Sequence, residues 1–420
     1  MRFKSGILLI FCIASLALVG CARSGVVATL NENELFNLNY GSFEDELNLF
    51  DLSKHEQVNT YMTMRDGFFY IANGEAKKIL EFNSYGDLLT VIYNEDSNIM
   101  PPAFKPDSNK VSMKKSVSYP FNTLGPIVVD SRKYIYVVDT LTPEMQERFV
   151  QSEGKNSETG NDKKDLLLSS VVLRFDSDGN FIDYVGQDGP GGTPFPFIKN
   201  IYTNSRNELI VIGASGGDGY AVYWFNTSGF PLYNIQISNS SIPVPKKDVE
   251  QNLVKYLSIE NLVPDYTAMK LYLKVDCYGT SIDPNLKIAT GVEFKKTMLY
   301  PFVVRSGTFE EPLEIPVYQY TVSEDMAKSV YNIPYDFFGV SKNGWLFFMV
   351  PTENGYLTQM VQPDGQKIVK RSLDVNHEKN LYFNLSLSDE GIISGLFVQK
   401  EKAKISWWRT DALLDAYLGE

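Results

Sequence analysis

The sequence contains very little cysteine and histidine, and this scarcity removes several kinds of chemistry. Among its 420 residues there are three cysteines and two histidines. His55 and His377 both lie in polar stretches, so a zinc site built from cysteine and histidine is not expected. No Ser/His/Asp or Cys/His catalytic arrangement is indicated, although two histidines do not forbid one. Cys277 lies in an alternating, strand-like segment, which favours a buried free thiol.

The chain also lacks an excess of positive charge. It has 39 Lys and Arg residues against 51 Asp and Glu residues, which gives a formal net charge of -12. Removal of residues 1–20, which hold Arg2 and Lys4 and no acid, would change -12 to -14. Such a chain gains nothing from phosphate backbones, so nucleic-acid binding is not expected.

The N-terminal apolar run is too short to span a membrane. Arg2 and Lys4 precede residues 6–19, which carry no charge and are mostly apolar. A spanning helix needs roughly 20 apolar residues. A charged start, a short apolar stretch and small residues at its end are typical of a signal peptide, which we assign to residues 1–20.

The end of this segment, Leu18-Val19-Gly20-Cys21, resembles the lipobox of bacterial lipoproteins. The resemblance implies cleavage before Cys21 and acylation of its thiol, with palmitate-type chains holding the protein in the cell envelope, facing the periplasm or the cell surface. Two or three acyl chains anchor a protein stably, whereas one chain binds only marginally. An ordinary cleaved signal and an uncleaved anchor helix are the alternatives. Because Cys12 would leave with the signal, only Cys277 would remain as a thiol, and no internal disulfide would form.

The rest of the chain has the composition of a β-rich protein and repeats a two-part unit. Aromatic residues make up 13%, and there are 30 glycines and 20 prolines. The first part is a polar turn followed by a short apolar strand, as at residues 130–139, 204–213, 341–350 and 388–397. The second is a hairpin whose turn contains Gly86, Gly179, Gly229 or Gly365. Each of these glycines follows Asp, Asn or Ser closely, as a turn position with positive φ requires.

Two such hairpins supply the four antiparallel strands of one propeller blade. The segments 125–140 and 171–186 together resemble one NHL-type repeat interrupted by an insertion, and that family implies a six-bladed β-propeller. We therefore predict an all-β fold of six blades, and seven blades if residues 300–334 form another. A β-sandwich is the alternative. The six predicted blades span residues 57–93, 124–186, 196–238, 266–305, 334–373 and 380–408.

We divide the chain into the signal peptide 1–20, a lipidated tether and docking strap 21–50, and the propeller 51–420. Insertions are predicted near residues 94–117, 142–168 and 240–264, and we expect them to decorate one face and provide contacts. Apolar residues spaced by three and four predict a helix over 245–263, ended by Pro264. A second short helix is predicted over 411–418. Trp407 and Trp408 are expected to pack in the closing blade.

The candidate site residues are few. Asp130 and Asp139 bracket an inner-type strand, so they are the candidate ligand contacts at the mouth of a central channel. Asp176, Asp178 and Asp364 stand where turn-forming acids belong. No catalytic residue, metal ligand or cofactor is assigned, and Ca²⁺ is the alternative.

The leading hypothesis is a non-enzymatic, membrane-anchored propeller that binds a protein or another envelope component, although a fold alone does not establish a function. The first alternative is a calcium-dependent lactonase or esterase of the propeller type. It requires several carboxylates lining the channel, because Ca²⁺ takes six to eight oxygen ligands. The second alternative is a propeller lipoprotein of the outer-membrane assembly type, which has eight blades.

Overall fold

The computed structural model describes residues 27–49, 58–98, 114–153, 168–215, 219–283, 286–324 and 327–418. Six sheets form a ring in these ranges, so the protein is a six-bladed β-propeller, as predicted. This blade count argues against the eight-bladed alternative. The predicted signal peptide 1–20, Cys21 and His55 lie outside the described residues. No helix in these ranges is long and apolar enough to cross a membrane.

The chain runs from the innermost strand of each blade outward, so that consecutive strands are hydrogen-bonded neighbours, apart from the strands Thr29–Leu30, Asn33–Leu38 and Leu313–Ile315. Two short strands come first, β1 (Thr29–Leu30) and β2 (Asn33–Leu38). Blades 1 to 3 follow, with the strands β3 (Thr60–Arg65), β4 (Phe68–Asn73), β5 (Lys78–Phe82), β6 (Leu88–Tyr93) and β7 (Lys115–Ser118); β8 (Leu124–Val129), β9 (Ile135–Thr140), β10 (Ser170–Phe175), β11 (Phe181–Gly186) and β12 (Gly189–Pro190); β13 (Ile198–Thr203), β14 (Leu209–Ala214), β15 (Gly219–Phe225) and β16 (Pro231–Ser238).

Blade 4, a separate hairpin, and blades 5 and 6 complete the ring, with the strands β17 (Tyr256–Pro264), β18 (Lys270–Ile282), β19 (Ala289–Val303), β20 (Thr308–Phe309) and β21 (Leu313–Ile315); the hairpin β22 (Tyr318–Glu324) and β23 (Ala327–Ile333); β24 (Asp336–Val340), β25 (Leu346–Thr352), β26 (Gly355–Val361) and β27 (Ile368–Asp374); β28 (Tyr382–Leu387), β29 (Ile393–Val398) and β30 (Ala403–Trp408). The described α-helices are α1 (Pro143–Glu153), α2 (Lys246–Glu250) and α3 (Thr410–Leu418), with single 3₁₀ turns at Asn239–Ser241 and His377–Lys379.

The turn between the first two strands has the same geometry in four blades. In blade 2 the N–H of Asp130 donates to the Tyr134 carbonyl, and the N–H of Lys133 donates back to the Asp130 carbonyl. The residue at the position of Lys133 has a positive φ in every copy. The four residues at this position are Lys133, Asn207, Gly344 and Gly391. This repetition explains why the polar turn motif recurs along the sequence.

The second hairpin turn uses glycine as predicted. Gly86, Gly179, Gly229 and Gly365 have φ values of 84°, 82°, 84° and 72°, in the left-handed region that a side chain disfavours. In blade 2 the Asp176 carboxylate accepts hydrogen bonds from backbone N–H groups within this turn. The turn acids therefore have the structural role that the sequence indicated.

The apolar core is divided among the six junctions between neighbouring blades. Phe195 and Phe225 pack between blades 2 and 3, and Trp224 packs between blades 3 and 4. Trp408 is fully buried between blades 5 and 6, so its predicted packing in the closing blade is confirmed. Because each blade contributes one face to each of two junctions, both faces of a blade are apolar. Burial of such a side chain stabilises the fold by roughly 1.5–3 kcal/mol.

The N-terminal segment closes the ring. The strand β2 pairs antiparallel with β30, from Asn33 opposite Trp407 to Leu38 opposite Ala403, and is the outermost strand of blade 6. The strand β1 pairs in parallel with β27 at the edge of blade 5. Residues 39–49 then continue towards blade 1, where Leu47 and Leu49 are buried. This arrangement pairs the outer edge of β30 and completes blade 6 with a fourth strand.

Two sequence predictions in the middle of the chain are wrong. The predicted helix over 245–263 is helical only in α2, and β17 occupies its second half. A β-bulge between Ile259 and Asn261 shifts the register of β17. The bulge places apolar residues three apart on one side of the strand, which imitates helical spacing. Blade 4 therefore begins before residue 266.

Residues 300–334, the candidate for a seventh blade, do not form a blade. They contain the end of β19, the broken outer strand β20 and β21, and the hairpin β22–β23. The predicted C-terminal helix is confirmed as α3.

The topology makes the two faces of the ring unequal. Antiparallel blades place the first and third turns on one face, the turn face, which contains residues 66–67, 83–87, 130–134, 176–180, 204–208, 226–230, 265–269, 304–307, 341–345, 362–367, 388–392 and 409–418. The second turns and the blade-to-blade connections lie on the other, the loop face. The described parts of the loop face are residues 39–49, 74–77, 94–98, 119–123, 141–153, 168–169, 187–197, 215, 239–255, 283, 286–288, 316–324, 327–335, 353–354, 375–381 and 399–402. The predicted insertion 240–264 lies on this face only up to residue 255, because β17 is the innermost strand of blade 4.

Candidate functional site in the central channel and on the loop face

The six innermost strands surround a central channel with a cavity of about 410 Å³. The wall is formed by the strands β3, β8, β13, β17, β24 and β28 and by residues next to their ends. The wall contains both apolar side chains and amide, hydroxyl and charged groups, so the cavity is neither strongly hydrophobic nor strongly charged. The volume suits a small polar ligand or ordered water.

Three side chains from three blades meet where the channel opens on the turn face. The guanidinium Nη2 of Arg65 lies 3.2 Å from Oδ2 of Asp389 and donates to the hydroxyl of Tyr266 at 3.1 Å. Burial raises the pKa of Asp389 above its ordinary value, and the charge of Arg65 opposes this shift. Nε of Arg65 and Oδ1 of Asp389 are buried without a hydrogen-bond partner among the described residues. The sequence did not indicate this cluster, since its members lie far apart along the chain.

Asparagine side chains join inner strands near the loop-face opening of the channel. Nδ2 of Asn261 donates to the carbonyl of Phe337 in the next blade at 2.8 Å. Oδ1 of Asn384 accepts from the N–H of Met62, also in the next blade, at 2.9 Å. Asn200 occupies the matching position in blade 3. A sequence signal for these positions exists. Each Asn is followed directly by an apolar residue, and a turn-forming residue stands four positions after the Asn. These amides hold blades together.

A side cleft of about 330 Å³ opens near the same end of the channel, beside blades 3, 4 and 5. Nζ of Lys274 lies 2.8 Å from Oδ2 of Asp276, and Oδ1 of Asp276 accepts from the Thr297 hydroxyl at 2.6 Å. Burial raises the pKa of Asp336 in the cleft wall, and the charge of Lys274 opposes this shift. The lysine and the aspartate neutralise each other, so the cleft presents no net charge from this pair.

The predicted channel contacts, Asp130 and Asp139, do not line the channel. Asp130 is fully buried at the turn-face end of β8, where its carboxylate binds Arg132 at 2.6 Å and accepts from the N–H of Tyr134. Asp139 accepts from the N–H groups of Asn122 and Thr123 at the start of blade 2. Burial raises the pKa of Asp139 to about 6, against the effect of those hydrogen bonds. Both carboxylates stabilise blade 2 itself.

The channel does not supply the ligand set that the calcium-dependent alternative requires. Asp389 is the one carboxylate in its described wall, and that group faces Arg65. No cluster of three or more His, Cys, Asp or Glu side chains that could hold a metal occurs in the described chain. Ca²⁺ takes six to eight oxygens, mostly from carboxylates and carbonyls. Several inward carboxylates were expected for that hydrolase, and the structure does not bring them together.

Cys277, the one cysteine among the described residues, is also a poor candidate for nucleophilic catalysis. Cys277 is buried in β18, among apolar side chains between blades 3 and 4. Burial raises the pKa of its thiol to about 11, and the charge of Lys296 opposes this shift. A thiol of this kind is a poor nucleophile at neutral pH, because the thiolate is the reactive form.

Comparisons with known proteins give no family for this chain. No protein-family model matches the chain, and no curated protein matches it. Among solved structures it is similar to the WD40 domain of Pan2 from Neurospora crassa, with 8% identity over 83% of this chain and 74% of that one and a TM-score of 0.37. It is also similar to the β-propeller domain of the Trilobed protease from Pyrococcus furiosus, with 11% identity over 84% and 96% and a TM-score of 0.38. These likenesses concern the fold alone.

Proposed function

We propose that this protein is a lipoprotein of the bacterial cell envelope, anchored through Cys21, whose loop face binds a protein or another envelope component without catalysing a reaction. The supporting observation is the asymmetry between the two faces. The described turn face consists mainly of short turns, several of them closed by their own backbone hydrogen bonds, and also carries α3, whose Thr410 hydroxyl donates to the Gly391 carbonyl. The loop face carries α1, α2, the hairpin β22–β23 and the N-terminal strap.

The chemistry of the channel favours binding over turnover. Its described wall includes Arg65, Lys199 and Asp389, but no histidine and no cysteine. Nζ of Lys199 already donates to the Tyr220 hydroxyl at 2.6 Å and to the Glu260 carbonyl at 2.9 Å. A side chain that would serve as a base is therefore engaged in holding blades 3 and 4 together.

Site-specific photo-cross-linking in native envelopes tests the binding face. The photoreactive residue is placed at Met145 or Tyr331 on the loop face, and at Tyr85 or Phe230 on the turn face as matched exposed controls. We expect the same adduct from both loop-face positions and none from the controls. Adducts of equal yield from both faces, or only from the turn face, would contradict the proposal.

The anchor is tested separately by labelling cells with radioactive palmitate. We expect label on the wild-type protein and none on Cys21→Ser. Equal labelling of the two would show that the chain is not acylated at Cys21, whatever its loop face binds.

A further inference from the structure

One loop-face element is much longer than its counterparts. The strands β18 and β19 have 13 and 15 residues, whereas the matching strands β9 and β10 of blade 2 have 6 each. β18 pairs with β17 as far as Tyr278, so at about 3.3 Å per residue the last four residues of β18 extend roughly 13 Å beyond the blade. We call residues 277–282 and 286–296 the blade-4 ribbon.

The ribbon is braced at its base by the segment around α2. Nζ of Lys296 lies 2.8 Å from the buried carboxylate of Asp248. Asn252 and Thr280 exchange two hydrogen bonds, of 2.9 and 3.0 Å. Side chains at the end of the ribbon are therefore presented at a fixed place relative to the ring.

The end of the ribbon exposes a group of apolar side chains. Ile282, Leu286, Ile288 and Val292 are each more than half exposed. Val249 on α2 is also more than half exposed. Concentrated exposed apolar surface is unusual in a soluble domain and marks a site of contact.

The charges around these apolar groups are mainly positive. Lys246, Lys247, Lys255 and Lys287 are exposed there, against the exposed carboxylates of Glu250 and Glu293 and the half-buried Asp283. The remaining lysines of the ribbon base are paired with acids, as in the bridge between Lys296 and Asp248. The whole chain carries a formal charge of -12, so this basic and apolar surface stands out from the rest of the molecule. Exposed lysines beside aliphatic side chains suit the surface of an anionic bilayer.

The short chain before the fold keeps the proposed anchor close to the blade next to the ribbon. Cys21 precedes Val27, the first described residue, by six positions, which span at most about 20 Å. The strand β1 lies on the outer edge of blade 5, the neighbour of blade 4, and runs parallel to β27. The proposed anchor therefore lies within about 20 Å of the outer edge of blade 5.

We propose that the blade-4 ribbon inserts its apolar end into an anionic lipid surface, with the neighbouring lysines contacting the headgroups. This inference rests on the proposed function, which places the protein at an envelope membrane. The contact would orient the protein with its loop face towards that membrane. The lipid anchor holds the protein at the bilayer, and the ribbon sets its orientation.

The test is vesicle flotation of the chain that begins at Ala22, which keeps all six blades and carries no acyl group. The probes are vesicles of phosphatidylcholine alone and of phosphatidylcholine with phosphatidylglycerol. The ribbon variant combines Leu286→Glu with Ile288→Glu. The matched control combines Tyr85→Glu with Phe230→Glu, which changes equally exposed side chains on the turn face.

We expect the wild type and the control to bind the phosphatidylglycerol vesicles, more weakly as salt increases. The ribbon variant should bind about tenfold more weakly or worse, with an unchanged melting temperature. The proposal would be overturned if the wild type did not bind vesicles, if its binding did not depend on phosphatidylglycerol, or if both variants lost vesicle binding equally.

If the wild type does not bind vesicles and the ribbon variant no longer forms a photo-cross-linked adduct with an envelope protein, the ribbon binds a protein and the lipid proposal is wrong. Failure of vesicle binding leaves acylation at Cys21 and the loop-face adducts standing, because this chain lacks Cys21. Failure of palmitate labelling, conversely, would not alter the vesicle result.

Discussion

Replacement of Phe36 by Ala should weaken the closure of the ring. Phe36 lies in β2, the strand that the N-terminus adds to blade 6, and it is 8% exposed. Its ring centroid lies 5.7 Å from those of Phe69 and Phe82 in blade 1. The side chain therefore joins the outermost strand of the last blade to the first blade, and its loss leaves a cavity at this junction.

The expected loss follows from the cost of such cavities. A Phe→Ala change in a core destabilises a protein by about 3–5 kcal/mol. Domains are stable by about 5–15 kcal/mol, so the loss is a large fraction of the total. We expect a clear decrease in the urea midpoint, and faster hydrogen exchange in β30, whose outer hydrogen bonds are made with β2.

Phe43→Ala is the matched control. Phe43 lies a few residues further along the same segment and is 60% exposed, so its loss should cost no more than about 0.5 kcal/mol. Equal urea midpoints for the two variants, or a Phe36→Ala protein within about 0.5 kcal/mol of the wild type, would refute the closure argument.

Three further predictions concern a buried lysine, the channel cluster and an insertion. Burial lowers the pKa of Lys78 to about 8 from 10.5, so between these pH values the unfolded chain binds more protons than the folded chain. The free energy of unfolding should therefore rise by up to about 3 kcal/mol from pH 8 to 10.5. Lys78→Met should remove this rise in urea titrations across that range, and an unchanged slope would contradict the assignment. Arg65→Met should lower the free energy of unfolding by about 2 kcal/mol by leaving Asp389 unpaired, and adding Asp389→Leu should restore at least half of it; no restoration would mean that the two charges are not coupled. Deletion of residues 142–168 with a short replacement loop should preserve a single cooperative melting transition, and loss of cooperativity would show that the segment belongs to the blade.

The local parts of the fold were predictable because a few adjacent residues determine them. A turn such as that at Gly179 requires a positive φ and a side-chain acceptor three residues earlier, and both requirements are visible in the sequence. The bulge in β17 was not predictable in the same way. Its residues fit helical spacing as well as strand spacing, and pairing with β18 decides between them.

The candidate site was predictable only in part. Asp130 and Asp139 were chosen because they flank a strand, and in the fold each is satisfied by neighbours in its own blade. The cluster of Arg65, Tyr266 and Asp389 joins positions from blades 1, 4 and 6. Only closure of the ring brings such distant residues together.

The sequence by itself determined the repeated hairpins, the all-β class and the signal that predicts acylation at Cys21, because each depends on contiguous residues. The tertiary structure decided the pairing of β2 with β30, the assignment of turns and insertions to opposite faces, and the composition of the channel wall. These features depend on contacts between residues separated by tens to hundreds of positions. Such contacts form only when the packing gained at the six junctions exceeds the entropy lost in closing the ring.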